Sequence, residues 1–136
     1  MNPVMYIVAN RGLKMSPGKL AAQVAHAAVE AYRLSDQKMI DRWYRGGHHT
    51  KIVLGVDDEL AMINADQYLR ARGFQVAEII DEGRTEIKPF SRTALGVAIV
   101  DKDNPHTAAT FESFKTYKPL PVEVPKVRFK LLNLRR

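Results

Sequence analysis

The sequence predicts an α/β fold: a three-layer sandwich in which helices flank a mixed four-stranded β-sheet, followed by a basic C-terminal extension. Three observations carry this expectation. The runs VMYIVA, KIVLGV and TALGVAIV have the length and apolar content of buried strands. The segments between them show helical periodicity with recognisable caps. Their order is strand, helix, helix, strand, helix, strand, strand, helix, and its two βα crossovers imply parallel pairs.

The first strand is expected at Val4–Ala9. Ser16 followed by Pro17 is a helix start, because serine caps free N–H groups and proline tolerates the first helical position. The helix from Pro17 to about Tyr32 is alanine-rich, with Leu20, Val24, Ala28 and Ala31 as its expected buried stripe. Ser35 or Asp36 caps a second helix that stops near Gly46, with Trp43 and Tyr44 half-buried at its end. Lys51–Val56 is the second strand. Asp57 is expected to cap the third helix, whose acids lie in its first turn and whose Arg70 and Arg72 lie in its last, complementing the helix dipole. Gly73 ends it in a left-handed turn. Strands at Gln75–Ile80 and Thr93–Val100 and a short helix at Thr107–Phe114 complete the domain, set at residues 1–114. In the extension, residues 115–136, Val127, Phe129 and Leu131 alternate with basic residues, which fits an edge strand or an arm on another subunit.

Of the 136 residues 46% are hydrophobic and 26% charged, as expected of one soluble globular domain and not of a disordered chain or a coiled coil. No apolar run approaches the roughly 20 residues that cross a bilayer, and Met1–Asn10 does not read as a secretory leader. With no cysteine, disulfides and thiolate chemistry are excluded, and a reducing cytoplasm fits best. The net charge of +6 is uneven. Residues 1–56 carry eight basic and three acidic side chains, residues 57–114 six and eleven, and residues 115–136 seven and one. Two basic regions flanking an acidic one can attract a polyanion such as nucleic acid, or simply keep the surface solvated.

Two constellations hold chemistry. Lys19, Gln23, His26 and Glu30 share one face of the first helix, with Lys19 in the first turn beside unpaired N–H groups. A solvated face is the plain alternative. Asp81, Arg84 and Thr85 follow a strand end, where ligands bind in α/β sheets, although an ordinary acidic turn has the same composition. There is no dinucleotide or nucleotide phosphate loop, no nucleophile elbow and no histidine spacing suited to a metal. What remains is a site without metal or cofactor, built from a lysine, an acid, hydroxyls and amides. That set suits hydrolysis of an activated bond.

The segments LKMSPGKLAAQVAHAAVEAY, KIVLGVDDE and IIDEGRTEIKPFSRTALGVAI, in this order from Met5 to Val100, resemble the type II peptidyl-tRNA hydrolases. The resemblance implies a homodimer that cleaves the ester between a peptide and the 3′-terminal ribose of tRNA, without cofactor. It puts the functional lysine at Lys19, the acid at Asp81 and the threonine at Thr85. It also implies substrate contacts at Gln23, His26, Arg84, Ser91 and Thr93. Several positions depart from the family pattern: Ser16-Pro17 stands for Gly-Lys, Val24-Ala25 for Cys-Ser, Glu82 for Ala, Glu86 for Gln and Phe90 for Gly. The added acids weaken phosphate binding near the site, and Phe90 occupies a turn that needs a positive φ. A non-catalytic RNA- or protein-binding module on the same fold is the competing expectation.

Overall fold

The computed structural model describes residues 1–46, 48–82 and 87–118. The central strand β1 (Pro3–Asn10) is buried along almost its whole length. A 3₁₀ turn at Arg11–Leu13 leads to α1 (Pro17–Leu34) and α2 (Gln37–Arg45). Then come β2 (Lys51–Val56), α3 (Glu59–Ala71), β3 (Val76–Ile80), β4 (Arg92–Val97), β5 (Val100–Asp101), α4 (Pro105–Phe111) and β6 (Lys115–Thr116). Helices cover both faces of the sheet. Ala27, Ala31, Ile40 and Trp43 of α1 and α2 pack with Met5, Ile7 and Ala94 on one face. Met62, Ala65, Leu69 and Phe111 of α3 and α4 pack with Tyr6, Val8, Leu95 and Val97 on the other. None of the described helices is long and apolar enough to cross a membrane.

Among the described residues the sheet has six strands rather than the expected four, in the order β3-β4-β1-β2-β6 with β5 paired to the start of β1. The two additional strands have two residues each, too short to leave a pattern in sequence. One of them, β5, arises because the run expected as a single strand to Val100 leaves its pairing with β3 after Ala98 and pairs with the start of β1 at Val100. The parallel pairing is also corrected. β1 and β2 are parallel neighbours, but β3 crosses to the far edge and pairs antiparallel with β4. A crossover fixes the direction of the strand it delivers and leaves its neighbour open. By that direction β1, β2 and β3 all point the same way.

Caps and packing differ from expectation in a few places. Asp58, not Asp57, caps α3 by accepting a hydrogen bond from the Ala61 N–H. Asn104 starts α4 earlier, accepting from His106 and Thr107. Trp43 is buried and donates its indole N–H to the Thr50 carbonyl, whereas Tyr44 is exposed. The fully buried line of α1 is Gln23, Ala27 and Ala31, with Val24 and Ala28 beside it and Leu20 only partly covered. The reason is a close approach to β4. A Cβ at Gly96 would lie 2.2 Å from the Ala27 carbonyl oxygen and 3.0 Å from the Ala31 Cβ. The helix therefore rests on its smallest side chains, and larger ones splay to the flanks.

Gly96→Ala should accordingly destabilise the protein by about 2 kcal/mol or more, because backbone must move to admit the methyl group. Urea unfolding with an unchanged slope checks this; a loss below about 0.5 kcal/mol would show that α1 yields easily.

Candidate active site

Asn10 ends β1, so α1 begins at the edge of the sheet where the parallel-pointing strands terminate. Asp81 follows the end of β3 and lies at the same edge. α1 crosses β4 and reaches β3, which among the described residues has no strand on its outer side. A groove of about 750 Å³ opens between α1 and β3, lined among others by Lys19, Gln23, His26, Ile80 and Asp81.

Lys19 is the third residue of α1. Its backbone N–H donates to the Ser16 Oγ at 3.2 Å, which sets the first turn and the root of the side chain. Its Nζ donates to Asp81 Oδ1 at 2.6 Å. Both side chains are nearly buried, at 12% and 9% exposure, so this pair is screened far less than a surface ion pair. The Asp81 main chain is held on both sides: its N–H donates to the Ser91 carbonyl at 2.9 Å, and its own carbonyl accepts from the Phe90 N–H at 2.6 Å. The carboxylate thus stands on a closed turn.

The other expected residues fall into three groups. Gln23 and Thr93 form a buried pair under the groove, in which the Thr93 hydroxyl donates to Gln23 Oε1 at 2.6 Å. Ser91 is buried and donates its hydroxyl to the Lys88 carbonyl at 2.6 Å, which closes the turn beneath Asp81. His26 is exposed on the groove wall beside Glu30. Arg84 and Thr85 lie outside the described residues. The sequence reading missed Val29, Glu78 and Ile80 as groove residues. Glu78 and Ile80 lie on the outer edge of β3, which shows itself only once the strand order is known, and Val29 lies on the stretch of α1 facing it. Glu78 accepts from Arg92 Nε at 2.9 Å, and Arg92 also donates to Glu59 at 3.1 Å. These two carboxylates raise the Arg92 pKa further above its ordinary value, the hydrogen bond to Glu59 being the largest cause.

The model for the family Peptidyl-tRNA hydrolase PTH2 matches residues 3–114, which takes in both walls of this groove. The chain belongs to the PTH2 peptidyl-tRNA hydrolase family. It is 37% identical over 91 residues to a peptidyl-tRNA hydrolase of Halobacterium salinarum, covering 67% of this chain and 80% of that protein. It is 38% identical over 96 residues to the mitochondrial peptidyl-tRNA hydrolase 2 of Mus musculus, covering 68% of this chain and 52% of the relative. For the Homo sapiens protein of the same name the figures are 36% over 110 residues, 75% and 61%.

Within this PTH2 chain, Phe90 is the local anomaly. Its φ of 62° is in the left-handed region, and its side chain is 74% exposed, so no burial compensates the backbone strain. The glycine expected there from the family pattern would carry no such penalty. Phe90→Gly should therefore stabilise the chain by about 0.5–1 kcal/mol, the left-handed penalty less the added freedom of the unfolded state. Chemical denaturation reads this directly; a destabilised variant would mean that the phenyl ring makes contacts worth more than the strain.

Proposed function

We propose that this chain is a peptidyl-tRNA hydrolase that attacks the ester between a peptide and the 3′-terminal ribose with water. The observation that supports this best is the nearly buried contact between Lys19 Nζ and Asp81 Oδ1 at the groove. In this reading the Asp81 carboxylate orients a water molecule and takes its proton as the oxygen attacks the ester carbonyl. The Lys19 ammonium has three donors, of which the contact with Asp81 uses one. The others are available to the oxyanion that develops on the carbonyl oxygen. Collapse of the tetrahedral intermediate breaks the bond to the ribose oxygen, and the proton held by Asp81 passes to that leaving oxygen. The peptide leaves with a free carboxylate and the tRNA with its 3′-hydroxyl. No step calls for a metal or an organic cofactor.

The remaining residues support this centre. Gln23 and Thr93 fix the floor of the groove, and Ser91 holds the turn that carries Asp81. His26, exposed on the wall, orients substrate. Roles for Thr85 as a hydrogen-bond partner and Arg84 as a phosphate or carboxylate partner rest on the resemblance of their motif alone. A homodimer working in the cytoplasm belongs to the same proposal, although the mammalian relatives are named as mitochondrial proteins.

A second reading, a binding module without catalysis, draws on one observation: Glu30, Glu78, Asp81 and Glu82 line the groove, against which the described lining residues set one lysine, Lys19, and one histidine, His26. Peptide release from an N-blocked aminoacyl-tRNA separates the two readings. Asp81→Asn and Lys19→Ala should each lower kcat by about 10²–10⁴-fold with the circular dichroism spectrum retained. Undiminished turnover in both variants would falsify the site assignment, and RNA binding without any release by the unaltered chain would favour the module.

A further inference from the structure

An acidic groove is a poor place to gain affinity for a polyanion, so a substrate carrying a tRNA body needs phosphate contacts elsewhere on the surface. The described residues offer one organised set. Lys38, Arg42 and Arg45 follow one another on α2 at steps of four and three residues, which puts them on one face over roughly 10 Å of helix. All three are exposed, and they border a depression of about 520 Å³ together with Pro3 and one acid, Asp41. Asp41 accepts a hydrogen bond from Gln37.

The contrast with other arginines is informative. Arg11, Arg33, Arg70 and Arg92 each sit within 3.1 Å of a carboxylate. Among the described residues no carboxylate lies within ion-pair distance of Lys38, Arg42 or Arg45, and Arg42 makes only a 3.3 Å contact with the Met1 sulfur. The helix dipole accounts for Arg42 and Arg45, which lie in the last turn. It does not account for Lys38, the second residue of the helix, where the dipole disfavours a cation; the N-cap Asp36 is the acid at that end and lies outside ion-pair distance of it.

Position completes the argument. α2 packs beside α1 on the same face of the sheet. α1 separates it from the groove, and the exposed residues in the first half of α1 include the small side chains Ala21, Ala22 and Ala25. A bulky ligand seated in the groove meets no steric barrier at these three residues on its way to α2.

We propose that Lys38, Arg42 and Arg45 form the surface that contacts phosphates of the substrate's RNA body while its 3′ end occupies the groove. This inference rests on the peptidyl-tRNA reading and deepens it. It is tested by equilibrium binding of deacylated tRNA to the full chain between about 50 and 200 mM salt, the range in which phosphate contacts are read from the slope. The variant carrying K38Q, R42Q and R45Q should bind about 10–100-fold more weakly at the lower salt. The slope of log affinity against log salt should shrink by about 2, at roughly 0.7–0.9 per phosphate contact. K38Q alone should reduce it by about 0.7–0.9, and kcat at saturating substrate should stay unchanged in both. Equal slopes for variant and unaltered chain overturn the proposal, as does failure of the unaltered chain to bind tRNA. A change in sedimenting mass on substitution also overturns it, since the stripe would then join two copies. Reduced slopes in a chain that never cleaves the ester would support the stripe and sink the enzymatic reading instead.

Discussion

The approach of α1 to β4 through Gly96 and Ala27 governs the geometry of the whole molecule. Side chains larger than hydrogen and methyl at this crossing would lift the helix, and the groove beside β3 would widen. With α1 seated, its capped first turn carries Lys19 to the sheet edge where β3 delivers Asp81. The ion pair at 2.6 Å is therefore a consequence of packing two turns further along the same helix. Its near burial makes each partner dependent on the other, because an uncompensated charge in that position is costly.

That dependence bears on chemistry. A carboxylate that accepts from a nearly buried ammonium is held in one orientation, the condition in which it can guide water. The turn from Phe90 to Ser91 adds rigidity through main-chain hydrogen bonds to Asp81 and the Ser91 hydroxyl bond to Lys88. Strain at Phe90 is tolerated because the turn is fixed by those bonds on both sides. The groove is acidic, and the basic stripe of α2 is displaced from it, so the proposed attraction for RNA and the proposed bond cleavage fall on different surfaces of one helical layer.

Much of this was legible in the residues. Ser16-Pro17 announces the start of α1, and the four-, three- and four-residue spacing from Lys19 to Glu30 gives the face that lines the groove. The position of Asp81 after an apolar run marks it as a strand-end carboxylate. The strand order was not legible, because β3 is apolar enough to sit anywhere in a sheet and local sequence does not encode its neighbour. The two-residue strands β5 and β6 lack any periodicity to detect. The register of α1 escaped for a different reason: hydrophobicity favours Leu20 and Val24 as the buried line, whereas closeness of approach selects Ala27, Ala31 and the polar Gln23. Gln23 is accepted in that layer because Thr93 donates to its oxygen.

The claim on which the account turns is that Lys19 and Asp81 act as a unit on one substrate. A double-mutant cycle on kcat/KM for peptidyl-tRNA, using Lys19→Gln, Asp81→Asn and both together, tests it most directly. The account predicts strong non-additivity, with the double variant about as slow as the slower single one. If the two losses simply multiply, the two side chains work independently and the shared-site mechanism is wrong.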